Sequence, residues 1–311
     1  MLKNGRISFS EITKEIEVSQ DIVWQHYTKM KKEGIIAGST IQINYDALGF
    51  KTVGRFTVTV LSKKQVEIIK KIEKLENVYR AYQIGVETKI RVIFTLKNLL
   101  ELEKISDSIK QIPGVLGIDS EIWIGIRNMV ENLSLMAPYS NNEKPHLKKT
   151  LKQGFDVEKK QIDRLDRRII EILGKNGRVS FSQIAKKLDV STDTISRRVK
   201  KLTENKVIKP IIQINPSKLG YKAKVSFYLH FVSIQKLSTI VDQISQIPDI
   251  TLIAKISGRY DLWIKGYIKN VEHFFSMQKE IAKISGIVEI KIEISKLRPK
   301  IPNHTEYISN F

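Results

Sequence analysis

Residues 163–208 read DRLDRRIIEILGKNGRVSFSQIAKKLDVSTDTISRRVKKLTENKVI, and this stretch decides the fold. Its apolar residues recur at helical spacing in three short runs. Leu165, Ile169, Ile172 and Leu173 share one face of a first helix. Ser180 stands before FSQIAKKL with Gln183 three residues on. That is a capping-box arrangement, in which side chains satisfy orphan backbone N–H groups of the first turn. Ser191 is a good N-cap for a third helix, whose buried stripe is Ile195, Val199 and Leu202. A turn over Leu188–Ser191 joins the second helix to the third. Three helices in this order predict a helix-turn-helix unit. The VIKPIIQIN that follows predicts a small β-hairpin, or wing.

Downstream the period changes. KAKVSFYLHFV (222–232) alternates with period two, and LSTIVDQISQI (237–247) repeats near 3.6. ITLIAKIS (250–257) and DLWIKGYI (261–268) read as strands, VEHFFSMQKEIAKI (271–284) as a helix, and IVEIKIEIS (287–295) as a last strand. A βαββαβ order predicts an α+β, ferredoxin-like module: one antiparallel sheet with two helices on one face.

The same organisation is written twice. MLKNGRISFSEI (1–12) matches LGKNGRVSFSQI (173–184), with Ser8 and Glu11 as its capping box. A second set of alternating segments runs from TVGRFTVTV (52–60) to VLGIDSEIWIG (115–125). One long-period duplication predicts paired domains, since a solenoid shows many short repeats. The expected organisation is an incomplete winged helix-turn-helix over 1–45 and a first βαββαβ module over 50–130. A linker over 131–162 follows, containing the Pro-, Asn- and Lys-rich MAPYSNNEKPHLKKTLKQG. A complete winged helix-turn-helix spans 163–215, a second module 220–297, and a tail 298–311. The first copy has only Met1 and Leu2 opposite residues 163–173. The apolar faces of EITKEI (11–16) and IVWQHYTKM (22–30) therefore lack a lid, and a cap supplied from elsewhere is expected.

The chain has 311 residues, with 53 Lys+Arg against 33 Asp+Glu, a net charge of +20. Such an excess favours a polyanionic partner, above all nucleic acid. It is unevenly placed. Residues 163–209 hold 13 Lys+Arg against 6 Asp+Glu, whereas residues 1–45 hold 6 against 5. Where the second copy has Ser196, Arg197 and Arg198, the first has Trp24, Gln25 and His26. The first copy is therefore expected to have turned from DNA contact to packing. No cysteine is present, which excludes disulfides and thiolate metal sites. The five histidines show no metal-ligand spacing, and no Gly-rich phosphate loop appears. No membrane span or signal peptide is recognisable, so the expected location is cytoplasmic, with no membrane partner and no cofactor.

The ordered set LDRRIIEIL, RVSFSQIAKKLDVSTDTISRRVKKL, KLGY and GRYD resembles the leucine-responsive regulatory protein/AsnC (Lrp/AsnC) family of prokaryotic transcription regulators. The resemblance covers about Asp163 to Leu297, and more loosely about Met1 to Ile126. It implies tandem winged helix-turn-helix units and ferredoxin-like modules of the RAM, or dimeric α-β barrel, type. Such modules serve oligomerisation and bind an amino acid or other small-molecule effector. The expected partners are double-stranded DNA, that effector and further copies of the chain. The expected DNA-binding residues are Ser191, Thr192, Thr194, Ser196, Arg197, Arg198 and Lys201, with the arginines suited to guanine edges or phosphates. The expected effector residues are Gly258, Tyr260 and Asp261 of SGRYD, although from the residues alone that stretch is equally a plain β-turn. In the first copy IGVETK (84–89) departs from that pattern, which puts an equivalent second site in doubt. Sirohaem decarboxylases resemble the same architecture and are the enzymatic alternative. They call for a His/Arg-rich stretch around the wing and first strand, which STIQINYDALGF (39–50) and IIQINPSKLGY (211–221) lack. A small-molecule sensor without DNA binding is the third reading, opposed by the basic third helix.

Overall fold

The computed structural model describes residues 4–50, 52–84, 88–129, 132–133, 162–232 and 237–301. Nearly all of the expected linker, most of the tail and the centre of IGVETK lie outside the described residues. In chain order the first half holds α1 (Phe9–Ile16), α2 (Gln20–Lys32), β1 (Ile36–Ile43), β2 (Thr52–Val60) and α3 (Gln65–Ile72). It continues with β3 (Val78–Ile84), β4 (Lys89–Leu96), α4 (Leu100–Lys110) and β5 (Val115–Asn128). The second half holds α5 (Arg164–Lys175), α6 (Phe181–Leu188), α7 (Thr192–Glu204), β6 (Ile208–Ile214) and β7 (Ala223–Phe231). It ends with α8 (Leu237–Ser245), β8 (Ile250–Ile256), β9 (Leu262–Ile268), α9 (Val271–Ala282) and β10 (Ile287–Ser295).

The helices begin where their caps dictate. Ser8 accepts from the Glu11 N–H at 3.1 Å, and the Glu11 carboxylate accepts from the Ser8 N–H at 2.8 Å, a complete box. At α6 only half of the expected box forms. Ser180 accepts from the Gln183 N–H at 3.2 Å, without a return bond from the Gln183 side chain. A neutral amide is a weaker acceptor than the carboxylate of Glu11.

The expected wing is the main correction. Residues 208–214 form one strand, β6, and its ladder partner is β1 of the other half, in an antiparallel two-stranded sheet. A two-residue hairpin turn requires positive φ, which favours Gly or Asn, and neither occurs inside IKPIIQI. Without a turn, the strand's hydrogen-bonding groups must pair elsewhere.

Around this ladder the repeated Asn-Gly-Arg motif locks the halves together. The Gly5 N–H donates to the Pro210 carbonyl at 2.8 Å, and the Gly177 N–H donates to the Ser39 carbonyl at 3.2 Å. Arg6 Nη1 donates to the Gly177 carbonyl at 2.8 Å, and Arg178 Nη1 donates to the Gly5 carbonyl at 2.9 Å. Arg6 also lies 4.4 Å over the Phe181 ring, and Arg178 lies 5.6 Å over Tyr27. The glycines are required by clearance. A Cβ on Gly177 would stand 2.3 Å from the Thr40 carbonyl oxygen, and one on Gly5 would stand 2.5 Å from the Ile211 backbone.

The remaining strands form one eight-stranded sheet, in the order β10-β7-β9-β8-β5-β2-β4-β3. The long β5 pairs with β2 on one side and β8 on the other, which joins the four strands of each half. Phe56, Val58, Phe94 and Ile90 pack with Ile68 and Ile109 of α3 and α4. Phe227, Leu229 and Ile264 pack with Ile244, Met277 and Ile281 of α8 and α9. Helices thus cover one face of each half-sheet.

The opposite face is enclosed by curvature. β2 and β7 stand four places apart in the sheet, roughly 19 Å at ordinary strand spacing. Even so, the Arg55 guanidinium carbon lies 4.8 Å over the Tyr228 ring. The sheet therefore curls on itself, and β4 meets β10 through Arg91 and Glu293 at 3.3 Å.

The expected cap over α1 and α2 is not among the described residues. α1 buries no side chain and α2 only Val23, while Ile16 and Trp24 are 56% and 55% exposed. In the second half, α5 covers the corresponding surface and leaves Ile169, Leu173, Ile184 and Leu188 buried.

Gly177→Ala should destabilise the protein by about 1–3 kcal/mol in chemical denaturation, the usual cost of a core overlap. Gly174, three residues earlier, has open space around an added Cβ. Gly174→Ala should be neutral or stabilise by up to about 1 kcal/mol. Equal responses at the two sites would show that the motif is not a packed lock.

Candidate nucleic-acid interface and effector loop

α5, α6 and α7 share one apolar core, and β1 contributes Ile41 and Ile43 to it. The Ile195, Val199 and Leu202 stripe of α7 is buried, so its other faces define the candidate interface. Thr192, Arg197 and Lys201 are exposed, and neither cation forms an ion pair among the described residues. Ser191 is exposed but engaged, because its Oγ accepts from the Thr194 N–H at 3.1 Å and lies 2.8 Å from the Thr194 hydroxyl. Thr194 and Ser196 are half-buried.

Arg198 differs from the outward-facing residue that its place off the apolar stripe implies. Its guanidinium pairs with Asp163 and, at 3.3 Å, with Asp166 at the start of α5. These two carboxylates form the capping box of α5, with the Asp166 N–H donating to Asp163 at 2.8 Å. That backbone bond, followed by the Arg198 contact, holds the Asp163 carboxyl below the usual aspartate range. The tie spans 35 positions, so no local pattern in the sequence announces it. The local signal that did exist was Asp at 163 and 166, readable as a helix start.

On α2 the corresponding surface carries exposed Ile22, Trp24, Gln25 and His26. It offers no arginine.

SGRYD forms the turn from β8 to β9, with Gly258 at φ 111°. Asp261 Oδ2 accepts from the Phe231 N–H at 2.9 Å and lies 3.0 Å from His230 Nδ1. Asp261 Oδ1 has no partner among the described residues. Tyr260 donates to Glu289 at 2.8 Å, and Arg259 pairs with the same carboxylate at 2.9 Å. The Ser257 N–H donates to the Ile122 carbonyl at 2.8 Å, strapping the turn to β5 of the other half. Gly258, Tyr260 and Asp261 thus share one turn, with Gly258 exposed and the other two half-buried.

Behind the turn lies a charged interior that the sequence analysis passes over. Arg55 and Arg91 are only 4% and 8% exposed. Arg55 pairs with Glu121 at 2.6 Å, and Glu121 accepts from the Trp123 indole at 2.9 Å. Tyr228 donates to Glu293 at 3.1 Å, and its ring lies 5.7 Å from that of Tyr260. Burial raises the Tyr228 hydroxyl to about 12 against the pull of Arg55 and Arg91. Burial also pushes Glu293 upward, but Arg91, Lys291 and Arg55 outweigh it and hold that carboxyl at about 2.

Residues 162–203 match the AsnC-type helix-turn-helix domain, and residues 225–303 match the Lrp/AsnC ligand binding domain. The chain is similar to the HTH-type transcriptional regulator FL11 of Pyrococcus furiosus, 33% identical over 127 residues, covering 40% of this chain and 83% of that protein. FL11 of Pyrococcus abyssi is 34% identical over the same length and coverage. Among solved structures, the siroheme decarboxylase NirDL aligns with 94% of this chain and 87% of its own, at a TM-score of 0.60. Its identity is 12%, so this is a likeness of fold. No helix of the described residues is long and apolar enough to cross a membrane.

The interior pair is testable by acid. A depressed carboxyl contributes stability above its unfolded pKa, and that contribution is lost as pH falls from 4.5 to about 2. Glu293→Gln should destabilise by roughly 1–3 kcal/mol at pH 7, because Arg91 loses its partner. It should also flatten the pH dependence of denaturant unfolding across that acid window. An unchanged profile would mean that Glu293 does not hold its proton equilibrium through Arg91.

Proposed function

As the chain belongs to the Lrp/AsnC-type helix-turn-helix transcriptional regulators, with a ligand-binding domain, we propose that it reads DNA sequence through its second helix-turn-helix and answers to a small-molecule effector. The reading is a tandem one. Residues 1–45 are an incomplete helix-turn-helix unit, 50–130 a first βαββαβ module, 163–215 the DNA-reading unit and 220–297 the effector module. The two modules pair inside one chain, and two chains supply the two α7 helices that a palindromic operator requires.

One observation carries this reading: Arg197 and Lys201 stand exposed and without ion pairs on α7, the third helix of a complete three-helix core. Arg197 suits a guanine edge, and Lys201 a phosphate. Thr192, Thr194 and Ser196 flank them, and Ser191 holds the helix start that approaches the groove. Arg198 acts differently in this reading: paired with Asp163 and Asp166, it sets α7 against α5. The effector is placed at the β8–β9 turn, where Asp261 Oδ1 accepts and Gly258 permits close approach.

The decarboxylase reading is weaker. The resemblance to NirDL is one of fold, and residues 39–50 and 211–221 hold neither His nor Arg. The relatives FL11 are transcriptional regulators by name.

The test is DNA affinity against salt, on the upstream region of the protein's own gene and on random duplex. Wild type should prefer its own region with a steep salt slope. Arg197→Ala should lose about 1–3 kcal/mol of that preference. Arg198→Ala should lower thermal stability more than it shifts base preference. Equal binding to both duplexes, untouched by Arg197→Ala, would reduce the net positive charge to non-specific attraction.

A further inference from the structure

The two halves place different residues at matching positions on the enclosed face of the sheet. Thr57 is the sixth residue of β2, and Tyr228 is the sixth of β7. Their cross-strand neighbours are Arg91 on β4 and Trp263 on β9. Both side chains meet the opposite half: Arg91 reaches Glu293 at 3.3 Å, and the Trp263 ring lies under Arg55 at 5.1 Å. Each also carries a buried donor, Arg91 Nε and Trp263 Nε1, without a hydrogen-bond partner among the described residues.

Two buried N–H groups without acceptors are costly, at about 1–3 kcal/mol each. The acids nearby are already engaged, Glu121 by Arg55 and Trp123, and Glu293 by Arg91, Tyr228 and Lys291. The missing partner is therefore an acceptor from outside the chain. We propose that the gap between the two half-sheets is a ligand site for a small carboxylate, whose two oxygens accept from Arg91 Nε–H and Trp263 Nε1–H. A carboxylate matches two donors with two acceptors, and one donor belongs to a guanidinium that favours an anion. The rings of Trp123 and Trp263, 5.2 Å apart, give an apolar wall for the remainder of the molecule.

This inference rests on the reading of the chain as effector-responsive and moves the effector from the turn to the interior. The two places are mechanically joined, because the Tyr260 ring packs on Tyr228 beside Trp263. Asp261 Oδ2 is committed to Phe231 and His230, whereas both interior donors await an acceptor. The site needs both halves: Arg91 and Arg55 come from one, Trp263 and Tyr228 from the other.

The indole N–H is its own reporter. The full-length protein, ¹⁵N-labelled at its three tryptophans, is titrated without DNA with acetate and with inorganic phosphate, against chloride at equal ionic strength. The Trp263 indole proton should move downfield and saturate with acetate, while the exposed Trp24 stays in place. Arg91→Lys keeps the charge opposite Glu293 but lacks the Nε–H, and should raise the apparent Kd about tenfold, the loss of roughly one charged hydrogen bond. Its thermal midpoint, measured alongside, shows that the fold is retained. Asp261→Asn should leave the acetate response unchanged.

A Trp263 signal that neither anion moves assigns the donors to bound water and overturns the proposal. So does a response that survives in Arg91→Lys, or one lost in Asp261→Asn alone, which returns the ligand to the turn. DNA affinity is measured separately with the same anions. A Trp263 response with unaltered DNA affinity keeps the site and removes the effector reading. Anion-dependent DNA affinity with a silent Trp263 does the reverse.

Discussion

The ladder between β1 and β6 is the constraint on which the rest of the arrangement depends. It is a backbone interaction between segments about 170 residues apart, and its geometry sets how the two helical units face each other. Backbone groups tolerate little adjustment, so the elements packed on the ladder must conform to it. Gly5 and Gly177 show how close that fit is, since each lies against bare backbone of the opposite strand. The arginines that follow them donate across to the other unit and cover its aromatic rings. One repeated tripeptide thereby does the same work twice, once in each direction.

That shared frame makes the differences between the halves informative. Backbone pairing preserves equivalent positions without preserving the side chains that occupy them. On the enclosed face of the sheet, Arg55 answers to Ser226, Thr57 to Tyr228 and Arg91 to Trp263. A symmetric pair would bring like residues together, and two facing arginines would repel. Here a cation meets an aromatic ring, and each buried arginine finds a glutamate on a strand next to it or across the gap. Asymmetry is what allows the interior to hold charge at all.

Much of the fold is legible in the sequence because its signals are local. Ser8, Ser180, Ser191 and Asn270 each sit at a helix start, and their side chains accept from the first turn. The strands of the second module read directly from alternation. The wing does not, since alternation in Ile208–Ile214 marks a strand but says nothing about its partner. Arg198 is legible as lying off the apolar stripe, yet its partners begin another helix. Arg55 and Arg91 escape for a related reason. In an alternating strand the polar positions read as the solvent face, and only the curl of the eight-stranded sheet encloses them.

The two helical units then divide a task that symmetry would have shared. α7 is complete, basic and backed by α5, whereas α2 lies under no such helix and shows Trp24 where α7 shows Ser196. A unit that binds DNA gains affinity by releasing counterions, so it needs cations on the exposed face. A unit that only supports its neighbour needs none, and is free to exchange them. What such a unit must keep is its backbone contact, and there the first half is unaltered: Asn4, Gly5 and Arg6 repeat Asn176, Gly177 and Arg178 residue for residue. Identity at the interlock beside divergence on the outer helix face is the pattern expected when one copy retains the groove-facing role and the other retains the scaffold.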